Sequence, residues 1–180
     1  MKRSPAWFPA LALAALLAPA STLAQSASPD AARVSMRDQL AQQLATAGPR
    51  NGIGDFHQSA HNEFAIVGHL RSGLKNSDEL EVIAFVTKAS TIVFNVYPHV
   101  GGKYLNLRKA ANEKALAEKL LWLNDSHFFW WGADDERDIY AAFKFTLESG
   151  YPKEAIDEVV DSIPNVDKAV GEVLPLAKAR

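Results

Sequence analysis

The chain has 180 residues, a formal net charge of −2 and no cysteine. The missing thiols exclude a disulfide framework, a thiol nucleophile, a cysteine zinc site and a lipid anchor built on an N-terminal cysteine. Nothing in the composition marks a fibrous or low-complexity chain, and we find no internal repeat.

At the N-terminus, Lys2 and Arg3 form a positive start and Ala10–Ala18 an unbroken apolar run, which Pro19 ends. Thr22-Leu23-Ala24 supplies small residues for a signal peptidase, so we expect a signal peptide over 1–24 with cleavage between Ala24 and Gln25. The apolar run is far short of the ~20 residues that span a bilayer, and no later segment is long enough, so we expect no integral membrane segment after signal removal. The expected location is the periplasm or the exterior. Removing Lys2 and Arg3 takes the formal charge from −2 to −4. No basic cluster remains, which argues against a nucleic-acid partner. The mature chain of 156 residues is the length of one domain and can bury a real core.

Gln25–Val34 is small and polar and reads as a flexible tether. Ser35-Met36-Arg37-Asp38 fits a capping box that opens a helix, with Met36, Leu40 and Leu44 on one stripe and Gly48-Pro49 at its end. Arg50–Ser59, with two glycines, reads as a loop. Three strands are predicted next, over 64–70, 80–88 and 91–98, joined by short links that suit an antiparallel meander. A helix over Glu113–Leu123 places Leu116, Leu120 and Leu123 on one face and ends at Asn124, which suits the left-handed position after a helix. A hairpin follows, with strands over His127–Gly132 and Asp138–Glu148. The closing helix starts at Tyr151-Pro152, Pro164-Asn165 breaks it, and Val166, Val170 and Val173 suit a second short helix.

The expected fold is therefore α+β: a five-stranded antiparallel sheet with helices packed on one face, in the order helix, three strands, helix, two strands, helix. With this order, the helix Leu116–Asn124 ending in Leu-Asn, the hairpin around Ala133–Asp138 and the closing helix from Tyr151, the chain resembles the YbjN family, labelled bacterial sensory transduction regulators. That family is similar to the type III secretion chaperone fold. The resemblance covers a single domain over about residues 35–175. It implies a binding or regulatory role and no catalytic residues or cofactor. Typical members are cytoplasmic, so the export signal sets this chain apart.

Two clusters carry chemistry that the pattern leaves open. Asp55, His57, His61 and Glu63 have a ligand-like composition, and His-x3-His on a helix would put two imidazoles on one face. The stretch reads as loop and no glutamate follows His57, so we assign no metal site and keep these four as a low-specificity candidate set. Phe128-Phe129-Trp130-Trp131 alternates across a strand. We expect one pair to pack beneath the helices and the other, Phe129 and Trp131, to form with Tyr140 an exposed binding surface. The acidic turn Asp134, Asp135, Glu136 and Asp138 lacks the glycine and terminal glutamate of a calcium loop and reads as a solvated tip. Neither a Gly-x-Ser-x-Gly elbow nor a phosphate loop is present. The expected function is a non-catalytic exported module that binds a polypeptide or a second copy of itself. The alternative is a small metal-dependent enzyme around His57 and His61.

Overall fold

The computed structural model describes residues 28–177, so the expected signal segment and its Ala24/Gln25 cleavage point lie outside the described residues. A first helix, α1 (Pro29–Ala47), leads through a 3-10 turn into four strands: β1 (Ile53–Gln58), β2 (Ala65–Leu70), β3 (Glu79–Val86) and β4 (Thr91–His99). Next come α2 (Glu113–Ser126), β5 (Trp130–Ala133) and β6 (Ile139–Thr146), then α3 (Lys153–Ser162) and, after a 3-10 turn at Ile163–Asn165, α4 (Val166–Ala177). The strands form one antiparallel sheet in the order β1-β2-β3-β4-β6-β5.

The α+β architecture agrees with the sequence reading, but the sheet has six strands, not five. The extra strand is β1, inside the segment read as a loop. Its period-two pattern is hidden because Asp55 adopts a left-handed backbone (φ 57°) and the register slips between Gly54 and His57. This is a bulge, in which one strand carries an extra residue and bends. Only Ile53 of β1 is fully buried. The Phe56 side chain lies against Gly48 and Gly68, where an added Cβ would come within 2.3 Å of its ring. Glycine at both positions is what lets β1 close on the core. The element order thus differs from the expected helix, three strands, helix, two strands, helix: β1 is added after α1, and the closing helix is divided into α3 and α4.

α1 also starts earlier than the capping box at Ser35. Ser28 is the N-cap, its Oγ accepting from the Ala31 N–H at 3.2 Å. Arg33, within the segment read as a tether, is docked: its guanidinium sits 3.4 Å from the Phe64 ring centre and donates to the Val86 carbonyl at 2.9 Å. At the other end of the chain, the helix break at Pro164-Asn165 and the short α4 fall where the sequence placed them.

Strand alternation sets the core. Leu80, Val82, Ala84 and Val86 of β3 face one side and join Ile92, Phe94 and Val96 of β4 in a single cluster with Leu40 and Leu44 of α1, Leu116, Leu120 and Leu123 of α2, Ile156 and Val160 of α3, and Val170 and Val173 of α4. All four helices thus cover the same face. Burying each such side chain contributes about 1.5–3 kcal/mol. One polar group is built into this face. Asp167, 6% exposed in the first turn of α4, accepts hydrogen bonds from the backbone N–H groups of Lys75, Asn76 and Ser77 and from Ser77 Oγ at 2.6 Å. It pins the β2–β3 loop to the helix layer. Burial pushes its carboxyl up, yet these donors outweigh burial and hold it below the usual value.

Candidate functional site: the open face of the sheet

Among the described residues, no helix packs on the opposite face. Alternation puts Val67 and His69 of β2, Glu79, Glu81, Ile83 and Phe85 of β3, Val93, Asn95, Tyr97 and His99 of β4, and Tyr140, Ala142 and Lys144 of β6 on this side. Most are half-buried by their neighbours, and Val93 is 5% exposed. Both faces of β3 are therefore apolar in the middle, the pattern of a strand covered on both sides, although only one side is covered by helices among the described residues.

Two shallow depressions of ≈ 330 Å³ and ≈ 650 Å³ run along the face and meet at Phe85 and Asn95. The smaller lies towards Trp130, Tyr140 and Lys144; the larger reaches Tyr97, Tyr104, His57 and His61. Between them is a ring ladder. Tyr97 packs against Tyr140 and Tyr104 at 5.6 Å each, and His99 lies 4.3 Å from Tyr104. Such contacts contribute about 0.5–1.5 kcal/mol apiece beyond area, so the platform is held rigid. Tyr104 donates to Glu81 Oε2 at 2.6 Å, and His99 Nε2 is 3.3 Å from the same oxygen. Burial and then the nearby Asp134 charge push the Tyr97 hydroxyl up to about 12. Burial and then the bond to Glu81 push Tyr104 up as well. Both stay neutral, hydrogen-bonding phenols across the physiological range.

The expected aromatic surface is only partly placed here. Tyr140 is on the open face. Phe129 and Trp131 are not: they are 3% and 5% exposed and belong to the core cluster. Their neighbours Phe128 and Trp130 are the exposed pair, at 45% and 54%. For the two tryptophans this follows from register, since Trp131 pairs with Ala141 and Trp130 with Ala142, whose side chains point to opposite faces. The rings of Phe128 and Trp130 lie nearly parallel to that of Phe143, at 4.8 and 6.1 Å. They form an aromatic shoulder at the β5 end of the sheet.

The β5 edge itself is closed. α2 does not stop at Asn124 but runs on to Ser126, leaving Asn124 inside the helix. Its side-chain amide accepts from the Trp131 N–H and donates to the Trp131 carbonyl at 3.3 Å. Asn124 thus takes both outward-facing backbone groups of Trp131, which an added strand would need. Asn124 plays this part from within the last turns of α2, a role that sequence spacing alone does not signal.

The candidate ligand set is dispersed. His57 and His61 line the larger depression together. Asp55 is instead engaged with Arg71 at 3.2 Å, and Glu63 is exposed, its main-chain carbonyl accepting from Arg37 and Gln58. Among the described residues, no group of three or more histidine and acidic side chains is arranged to hold a metal ion. The acidic turn folds on itself, Asp134 Oδ1 accepting from the Glu136 and Asp138 N–H groups at 3.0 and 2.9 Å.

No family model and no curated protein sequence matches the chain. No helix among the described residues is long and apolar enough to cross a membrane. What the open face can do therefore rests on its geometry: a broad, rigid, mixed apolar and phenolic platform, with one closed edge and a histidine-rich corner.

Proposed function

We propose that this protein is an exported, non-catalytic binding or regulatory module of YbjN-like build, and that the open face of its sheet holds a polypeptide segment or a second copy of the chain. One observation carries the reading. The middle of the sheet is apolar on both sides, and the helices among the described residues cover only one. A face bearing Ile83, Phe85 and Val93 gains by being covered, since buried apolar area is worth about 25 cal/mol per Å². The phenols of Tyr97, Tyr104 and Tyr140 offer hydrogen bonds around that apolar centre, the composition of a protein-contact surface. Export rests on Lys2, Arg3, Ala10–Ala18 and the small residues before Gln25.

The test is crosslinking in intact producing cells, with mass spectrometry of the adducts and sedimentation of the purified mature chain, repeated with Ile83→Asp. A recurrent partner or a dimer that disappears with the substitution supports the reading. A monomer without adducts, or a partner indifferent to Ile83→Asp, contradicts it. The second reading, a small metal-dependent enzyme around His57 and His61, is favoured by one observation: both histidines line one depression.

A further inference from the structure

Gln43 of α1 and Asp157 of α3 meet across the cleft between the two helices. The Gln43 side-chain amide donates from Nε2 to the Lys153 carbonyl at 2.6 Å and to the Asp157 carboxylate at 2.8 Å. Both partners can only accept, which fixes the orientation of the amide and leaves Oε1 as an acceptor. That oxygen is buried and has no hydrogen-bond partner, and the same holds for the Tyr151 hydroxyl. Among the described residues four buried side-chain polar atoms are left so, and two of them belong to residues that line this one cleft. Folded proteins keep few such atoms, because each has given up water without gaining a bond. The cleft measures ≈ 460 Å³, within the range of about 300–1,000 Å³ for small-molecule sites. Charges of both signs stand on its wall. Arg50 Nη2 lies 3.9 Å from Asp157 Oδ1, and Lys153 lines the same space. Burial and then the Asp157 charge push the Tyr151 hydroxyl up to about 12, so it is a protonated donor.

We propose that the α1–α3 cleft binds a free α-amino acid with a polar side chain, held as its zwitterion. A fixed cation and a fixed anion 3.9 Å apart match a ligand that carries both its charges on one carbon. The ligand carboxylate lies against Arg50 and Lys153 and accepts from the Tyr151 hydroxyl. The ligand ammonium donates to Asp157 and to Gln43 Oε1. Each unpartnered atom is thereby used, the donor by the anionic group and the acceptor by the cationic one. A simple anion would leave Gln43 Oε1 unpaired and face Asp157; a simple cation would face Arg50 and Lys153. The rest of the lining, Gln39, Gln42 and Thr46 beside Ala47, is mostly polar, which favours a polar ligand side chain over an aliphatic one. Gln39, Gln42, Arg50 and Lys153 are long and exposed, and their rotation opens the way to the buried atoms. The site lies in the helix layer and stands independently of the open sheet face.

The purified mature chain is titrated with L-glutamine as the probe by calorimetry, and backbone amide NMR locates the site. One site per chain is expected, with the amide resonances of Gln43, Tyr151 and Asp157 shifting together. N-acetyl-L-glutamine, which lacks the ammonium, and L-glutaminamide, which lacks the carboxylate, should each bind about tenfold more weakly or worse, the loss of a hydrogen-bonded charge. Asp157→Asn should weaken L-glutamine binding by a similar factor. Tyr151→Phe should weaken it by about tenfold while thermal stability stays at or above that of the wild type, because the hydroxyl has no partner in the free fold. A tyrosine with a structural role alone would lower stability and leave affinity unchanged. Tyr140→Phe, on the open face, should leave binding unchanged. Absence of saturable binding, equal affinity for the acetylated form, or affinity that survives Tyr151→Phe overturns the proposal.

Discussion

The two faces of this sheet are made of similar residues and have opposite fates. On the covered face, Leu80, Val82, Ala84 and Val86 meet leucines and valines from four helices and are 2% exposed or less. On the open face, Ile83 and Phe85, one residue out of phase on the same strand, are half-buried among their neighbours in the sheet. The first face sets stability. The second contributes little to folding and is free to act on something else, so neighbouring positions on one strand should respond very differently to the same substitution.

The sharpest form of that difference is a charge scan on β3. Val82→Asp puts an unpaired carboxylate into the helix-covered core and should cost about 4 kcal/mol or more, enough to unfold most marginal domains. Ile83→Asp should cost about 1 kcal/mol. Urea denaturation of both variants checks this, and equal losses would break the comparison. The β5 shoulder gives a second pair. Phe129→Ser or Trp131→Ser empties a buried site and should cost about 3–5 kcal/mol, whereas Phe128→Ser or Trp130→Ser should cost about 1 kcal/mol, the value of a ring contact. Thermal unfolding of the four variants separates them.

Asp167 tests what ties the β2–β3 loop to the covered face. Asp167→Ala leaves the Lys75, Asn76 and Ser77 donors unpaired and should cost about 3 kcal/mol. The sign with pH follows from its depressed folded value. The contribution is complete above the ordinary value of 3.8 and is lost as pH falls through the lower folded value. Acid unfolding of the wild type should therefore steepen below that pH, and the Asp167→Ala variant should lose that part of the slope. The smallest effect is at the edge. Asn124→Ala should cost about 1–2 kcal/mol, and by freeing both backbone groups of Trp131 it should raise concentration-dependent association. Light scattering over a dilution series reads that out.

The covered face was legible in the sequence because its elements are long and periodic. The leucines of α2, the alternation of β6 and the proline break before α4 each declare themselves. β1 was hidden by its own bulge: Asp55 at φ 57° and two glycines remove the alternation that would have announced a strand. The choice between Trp130 and Trp131 turns on register with β6, which no local pattern in four consecutive aromatics contains. Asp167 and Asn124 act over long sequence separations or through main-chain partners. Their roles emerge only when the loop or the edge strand is brought to them. The open face did leave a trace in the sequence. Residues 80–86 are apolar at every position but Glu81, the pattern of a strand covered on both faces.

The central claim, that the uncovered face is the working surface, is tested most directly by a photo-crosslinking residue placed in turn at Ile83 on the open face and at Leu121, which is 70% exposed on α2. Both variants are irradiated in the producing cell. The account predicts discrete adducts, to one partner or to a second copy, from position 83 and none from position 121. Adducts from position 121 alone, or none from position 83, would contradict it.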